Sequence, residues 1–322
     1  RFLGQLLGRL GTEVQEQDGP DGPETLLHTP EIISAIAPYD LVRQMRASFN
    51  VLGPLLARSG QAKVSLPGGC TIGARPVDLH LEALRALGAE IDLHEGYVYA
   101  QAPRGLRGAE IVFPFVSVGA TEHALLAETI LRNAACEPEI VDLADCLNKM
   151  GARIVGAGLD VIRIQGVSRL GGTSHAVIPD RIETGTFALA AAMAGGEVRL
   201  THTRNDFIGH LLDKMEEAGV EVIRHNDGVT VKRNGRRLSA VAVETDPYPG
   251  FATDLQAQFM ALMTLADGES VIRETIFENR FMHAPELARL GADISIQGGE
   301  ARVRGVAALT GAQVMATDLR AS

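Results

Sequence analysis

The chain has no tryptophan, and aromatic residues make up only 4% of its 322 positions. So sparse a supply argues against the stacked aromatic platforms that hold single-stranded nucleic acid. Positive charge is short as well: 30 Lys and Arg against 40 Asp and Glu leave a net charge of −10. Such a field does not draw in polyanions, so no nucleic-acid partner is expected. Any anionic ligand must be held by particular arginines. Three cysteines, Cys70, Cys136 and Cys146, form neither a C-x-x-C pair nor a His/Cys group at zinc spacing. That argues against a disulfide scaffold and a zinc site, and for a reducing, cytoplasmic compartment. No apolar run approaches the roughly 18 residues of a membrane span. The longest, 187–194, lies close to Arg181 and Glu183. No signal-peptide pattern opens the sequence.

What the chain does have is apolar residues, at 46%, and 35 glycines. The length suggests two domains, and the expected division is 1–178 and 179–322. A phrase recurs: an apolar helix end, then glycine, a small residue and an alternating strand. It reads "RLGTEVQEQ" from Arg9, "ALGAEIDLHEGYVYAQ" from Ala86 and "KMGARIVGAGLDVIRIQG" from Lys149. It returns as "EAGVEVIRHNDGVTVKR" from Glu217 and "RLGADISIQGGEARVRG" from Arg289. Gly11, Gly88, Gly151, Gly219 and Gly291 are spaced by 77, 63, 68 and 72 residues. Each suits the left-handed position that ends a helix, and each precedes a period-2 strand, often with a hairpin turn such as His94–Gly96 or Asn226–Gly228.

A second kind of helix precedes the first in each unit and opens with Asp, Thr or Ser, as in "VSVGATEHALLAETIL" and "PDRIETGTFALAAAM". Asp180 with Glu183, and Thr253 with Gln256, read as capping boxes. Each unit is therefore β-α-β-α-β-β, and units of this size read as subdomains whose helices cover a small mixed sheet. Helix starts attract anions, although ordinary capping explains any single one. Both ends of the chain read as cut: Arg1 falls inside an amphipathic pattern, and "ATDLRAS" reads as a helix just begun.

The stretch "SLPGGCTIGARPVDLHLEALRALG" from Ser65 places a thiol, Cys70, after Gly68-Gly69. Arg75 follows five residues later, and Pro76 suits the first position of a helix. A thiol near a guanidinium has a lowered pKa. Cys136 and Cys146, by contrast, occupy apolar positions of a helical pattern in "AACEPEIVDLADCLNKMG" and are expected in the core.

This stretch resembles the enolpyruvyl transferase family, and within it the UDP-N-acetylglucosamine 1-carboxyvinyltransferases. So do "PYDLVRQMRASFNVLGPLLAR", "VSVGATE", "PDRIETGTF", "FATDLQAQFMALM", "ETIFENRFMH" and "LTGAQVMATDLRAS". The likeness runs through the whole chain in order. The cysteine loop followed by GARPVD separates this group from the sister enzyme that makes enolpyruvylshikimate phosphate. The resemblance implies an α/β fold: a two-domain inside-out α/β barrel built from repeated βαβαββ units, with the active site in the cleft. It implies transfer of the enolpyruvyl group of phosphoenolpyruvate to the 3′-hydroxyl of UDP-N-acetylglucosamine, with release of phosphate. This is the first committed step of peptidoglycan precursor synthesis. No cofactor and no metal are implied, and the expected form is a cytoplasmic monomer acting on these two small substrates.

By the same resemblance, Cys70 is the catalytic thiol. It delivers a proton to the methylene carbon of phosphoenolpyruvate and is the residue alkylated by fosfomycin. Asp254 matches the carboxylate at the sugar 3′-hydroxyl, as base or as orienting group. Arg46 and the segment Arg75, Pro76, Val77, Asp78 and Leu79 match contacts to the UDP-sugar, and Arg75 also offers a planar fork to phosphate or carboxylate. Ser117, Val118 and Gly119 match the uridine–diphosphate loop, and Ile276 a further UDP-sugar contact. Arg280 and Arg320 match arginines facing phosphoenolpyruvate, with Asp318 beside Arg320. One departure falls at the start of the uridine loop, where Phe115 stands in place of the usual lysine. An aromatic ring stacks on uracil but does not pair with phosphate. The competing expectation is a truncated or non-catalytic paralogue that binds the UDP-sugar. A redox protein is disfavoured because Cys70 has no resolving thiol near it in sequence.

Overall fold

The computed structural model describes residues 2–20, 22–67, 77–125 and 129–315. The chain divides into two compact units, the first closing at His175 and the second opening at Ala176.

The expected β-α-β-α-β-β unit is present in full three times. In the first unit it runs from the strand Ile36–Ala37 to the hairpin Glu90–His94 and Tyr97–Gln101, then again from Ala109–Val112 to Arg153–Val155 and Val161–Gln165. In the second unit it runs from Val243–Glu244 to Asp293–Gln297 and Glu300–Arg304. All three sheets share one strand order: first, second, fourth, third. The first two strands run parallel and the others antiparallel. A parallel pair needs a crossover, and the first helix of each unit supplies it. A related three-stranded sheet, Gly196–Thr201, Gly228–Arg233 and Glu221–His225, begins the second unit.

The five recurrent glycines do what their positions predict. Their φ angles lie between 92° and 112°. In each case the glycine amide donates to the carbonyl three residues back, and the next amide to the carbonyl five back, as in Gly88 to Arg85 and Ala89 to Leu84. This is the Schellman arrangement, and the positive φ it needs favours glycine. The hairpin after Gly88 turns on Glu95 and Gly96, with φ of 50° and 76°, the mirror-image turn that matches strand twist.

Helices fill the interior of each unit. In the second, the helices Arg181–Ala194 and Gln256–Met263 pack on one another and bury Ile182, Leu189, Phe259, Met260 and Met263. Helices apolar around most of their circumference must sit inside a core. Asp180 caps the first of them, accepting from the amides of Ile182 at 2.8 Å and Glu183 at 3.1 Å.

Two sequence expectations are corrected. Thr253 with Gln256 is not a capping box: Thr253 lies inside a 3₁₀ turn, Thr253–Leu255, whose cap position is Ala252. The Thr253 hydroxyl donates instead to Glu274 at 2.9 Å. Cys136 and Cys146 are half-buried rather than core residues. The helix begins only at Pro138, so Cys136 lies in the preceding loop. Burial and the nearby Glu137 and Asp160 push its thiol pKa up.

Candidate active site

Two clusters of the expected residues form, one in each unit. In the first unit, the helix Asp78–Ala86 leaves Asp78 exposed while its neighbours Leu79 and His80 are buried; Val77, just before it, is buried too. The helix Val118–Ala124 starts after Ser117, whose Oγ accepts from the Ala120 amide at 3.3 Å. These two helices pack at Gly119, where an added Cβ would lie 2.7 Å from His80 Cε1. Only glycine allows that approach. His80 Nδ1 in turn meets His123 Nδ1 at 2.8 Å. The Phe49 ring stands edge-on to both imidazoles, with centroids 5.6 and 5.8 Å away.

Phe49 belongs to the 3₁₀ turn Arg46–Val51, which opens on Arg46. The charge of Arg46 reaches His80. Burial first, then His123 and Arg46, push the His80 pKa down to about 3. Burial lowers His123 to about 4, with the Asn50 backbone pulling the other way. Both rings are therefore neutral at neutral pH, and one Nδ1 must donate while the other accepts. Gly119 thus packs on one buried imidazole that Arg46 reaches with its charge, and Leu79 precedes His80 on the same helix. Phe115 is 58% exposed, so its ring is available to solvent or to a ligand.

In the second unit, the turn carrying Asp254 runs directly into the helix Gln256–Met263. Asp254 Oδ1 accepts from Arg280 Nη2 at 2.7 Å. Arg280 is 4% exposed and Asp254 35%. The guanidinium also stands 5.3 Å from the centre of the Phe277 ring. A buried guanidinium thus orients a half-exposed carboxylate, which suits the orientation or deprotonation of a hydroxyl. Ile276 is fixed nearby, its amide donating to Glu274 Oε1 at 2.9 Å.

Cys70, Arg75, Pro76, Asp318 and Arg320 lie outside the described residues. Among the described residues no group of three or more His, Cys, Asp or Glu side chains could hold a metal ion. No helix among them is long and apolar enough to cross a membrane. Sequence reasoning missed His80, His123 and Glu274. His80 ends the ARPVDLH stretch, a signal that was at hand. Glu274 opens the ETIFENRFMH stretch and His123 lies in VSVGATEHALLAETIL, but neither stretch points to the partners His80, Thr245 and Thr253, which are 21 to 43 residues away.

Comparison with known proteins places the chain among enolpyruvyl transferases. The family described as EPSP synthase (3-phosphoshikimate 1-carboxyvinyltransferase) matches residues 3–322. The UDP-N-acetylglucosamine 1-carboxyvinyltransferase of Caulobacter vibrioides is 74% identical over all of this chain and 76% of its own length. The protein of that name from Maricaulis maris is 65% identical, over all of this chain and 77% of its own. Among solved structures, the enolpyruvyl transferase NikO from Streptomyces tendae superposes with a TM-score of 0.81 at 26% identity, covering 94% of this chain and 73% of that one. EPSP synthase from Acinetobacter baumannii shares the fold, with a TM-score of 0.69 at 19% identity over 98% of this chain and 78% of that one. The repeated α/β units, the matched motifs and these likenesses agree: the chain belongs to the enolpyruvyl transferase family, alongside the UDP-N-acetylglucosamine 1-carboxyvinyltransferases.

Proposed function

We propose that the protein transfers the enolpyruvyl group of phosphoenolpyruvate to the 3′-hydroxyl of UDP-N-acetylglucosamine and releases phosphate. This is the activity in the name of its relatives that are 57–74% identical. The observation in the fold that carries the reading is the Asp254–Arg280 pair, a charged carboxylate presented at a helix start by a buried guanidinium.

The chemistry runs in two steps. The sugar oxygen attacks C2 of phosphoenolpyruvate while C3 takes a proton, giving a tetrahedral phosphate-bearing adduct. C3 then loses a proton as the C2–O bond to phosphate breaks. Cys70 supplies the first proton, and Asp254 orients the attacking hydroxyl and accepts its proton. Arg280 orients Asp254 through its 2.7 Å hydrogen bond to Oδ1. Arg75 and Arg320 hold the anionic groups of phosphoenolpyruvate, and Asp318 orients Arg320. Arg46, Pro76, Val77, Asp78, Leu79, Ser117, Val118, Gly119 and Ile276 contact the UDP-sugar, and the Phe115 ring stacks on uracil. The neutral His80 backs Gly119 and lies within reach of the Arg46 charge.

The half-buried, unpaired thiols Cys136 and Cys146 support a reducing, cytoplasmic setting, and we read the working form as a monomer. Incubation of the intact protein with both substrates should yield an enolpyruvyl-UDP-N-acetylglucosamine detectable by its mass. An unchanged nucleotide sugar would contradict the assignment.

A further inference from the structure

Glu274 is 8% exposed and follows the strand Glu269–Arg273. Its amide donates to the Gly299 carbonyl at 2.8 Å, so its backbone is fixed. Four donors converge on its carboxylate. Oε1 accepts from the Thr245 hydroxyl at 3.1 Å and from the amides of Ile276 and Phe277 at 2.9 and 3.1 Å. Oε2 accepts from the Thr253 hydroxyl at 2.9 Å. Thr245 Oγ1 itself accepts from the Thr275 amide at 2.9 Å, which leaves its own proton for Glu274. Every partner therefore donates, and a carboxylate, which only accepts, satisfies all of them.

The partners fall on three segments: Thr245 just after the strand Val243–Glu244, Thr253, and Ile276 with Phe277. Thr253 directly precedes Asp254. Ile276 and Phe277 open the loop that leads to Arg280, the residue that grips Asp254, and the Phe277 ring stands against that same guanidinium. One carboxylate thus ties the Asp254 turn to the Ile276 loop. We infer that Glu274 is a positioning residue: it touches no substrate and acts through Thr253 and the Ile276–Phe277 amides to hold Asp254 and Arg280 in register. The inference rests on the reading of Asp254 and Ile276 as substrate contacts.

Glu274→Gln keeps the size but puts a donor where only donors now converge. It should lower kcat/KM for UDP-N-acetylglucosamine by about 100-fold, the scale of a misplacement near 1 Å. The loss should fall mainly on kcat, because an interaction that aligns the reacting hydroxyl is realised in the transition state. Thr253→Val removes the hydroxyl and keeps the shape, and should cost about tenfold. Thr253→Ser, which restores the donor, should return the rate to near wild type. The double variant Glu274→Gln with Thr253→Val should be little worse than Glu274→Gln alone, since both break one linkage. A purely structural Glu274 would lower the melting temperature and leave the kinetic constants of the folded protein unchanged, and that result would overturn the inference. If Glu274→Gln does not fold, the Thr253 pair decides: Thr253→Val with wild-type kcat/KM overturns it, and a loss rescued by Thr253→Ser supports it. A wild-type protein that releases no phosphate would instead overturn the functional reading, and this inference with it.

Discussion

His80 and His123 meet Nδ1 to Nδ1 at 2.8 Å, their rings nearly perpendicular at 89° and both buried. Burial disfavours the charged form of each, and each is the other's partner only while at least one Nδ1 is unprotonated. Because Gly119 packs on His80 and Arg46 acts on it electrostatically, the pair supports the first of the two clusters.

The first prediction is a pH dependence of stability. The folded pKa values, about 3 and about 4, lie below the ordinary histidine value of 6.5. The unfolded chain therefore binds more protons at mildly acidic pH. The stability the pair contributes is complete above about pH 6.5 and is lost as pH falls towards the folded values. Each histidine costs up to about 1.4 kcal/mol per pH unit in that window. Urea unfolding at pH 7 and pH 5 should show a loss that is smaller in His123→Gln. Equal losses in both proteins would count against a neutral buried pair.

Gly119→Ala should be destabilising even though alanine is the better helix former. The new methyl would sit 2.7 Å from His80 Cε1, and His80 has nowhere to go because His123 pins its far side. Overpacking of this kind costs about 1–3 kcal/mol, more than the roughly 1 kcal/mol gained in helix propensity. Denaturant titration checks the sign. A more stable variant would mean that the helix Asp78–Ala86 yields.

Asp254→Asn keeps the shape and removes the charge that Arg280 grips at 2.7 Å. Turnover should fall at least about 100-fold, the usual weight of a positioned proton acceptor. Stability should fall by about 1–3 kcal/mol, since the buried guanidinium loses its ionised partner. Steady-state kinetics with a parallel melt separates the two effects. Retained turnover would remove Asp254 from the chemistry.

An alkylating reagent should label Cys70 before Cys136 or Cys146. Cys70 is expected beside Arg75, whereas burial and two carboxylates push the Cys136 thiol up and leave it less thiolate. Saturating UDP-N-acetylglucosamine should slow the labelling. Peptide mass mapping that found Cys136 or Cys146 modified first would contradict the assignment.

Much of this was legible in the sequence because it is local. A glycine after an apolar helix end, followed by alternation, fixes a Schellman turn and a strand within a few residues, and all five cases hold. The α/β class followed from repeating that phrase. The Asp180 cap was legible for the same reason. The Thr253 cap failed because Glu274, 21 residues away, competes for the same hydroxyl and wins. The pairing of His80 with a residue 43 positions on, and of Asp254 with one 26 positions on, is set by tertiary packing, and no periodicity reports it. The resemblance supplied the candidate residues, and the packing supplied their mutual geometry within each unit.

The most direct measurement is phosphate release by the intact protein given phosphoenolpyruvate, with and without UDP-N-acetylglucosamine, beside Cys70→Ser. The account predicts release by the wild type only when the nucleotide sugar is present, and a severe loss in Cys70→Ser. Wild-type release that ignores the nucleotide sugar, or full activity in Cys70→Ser, would contradict it.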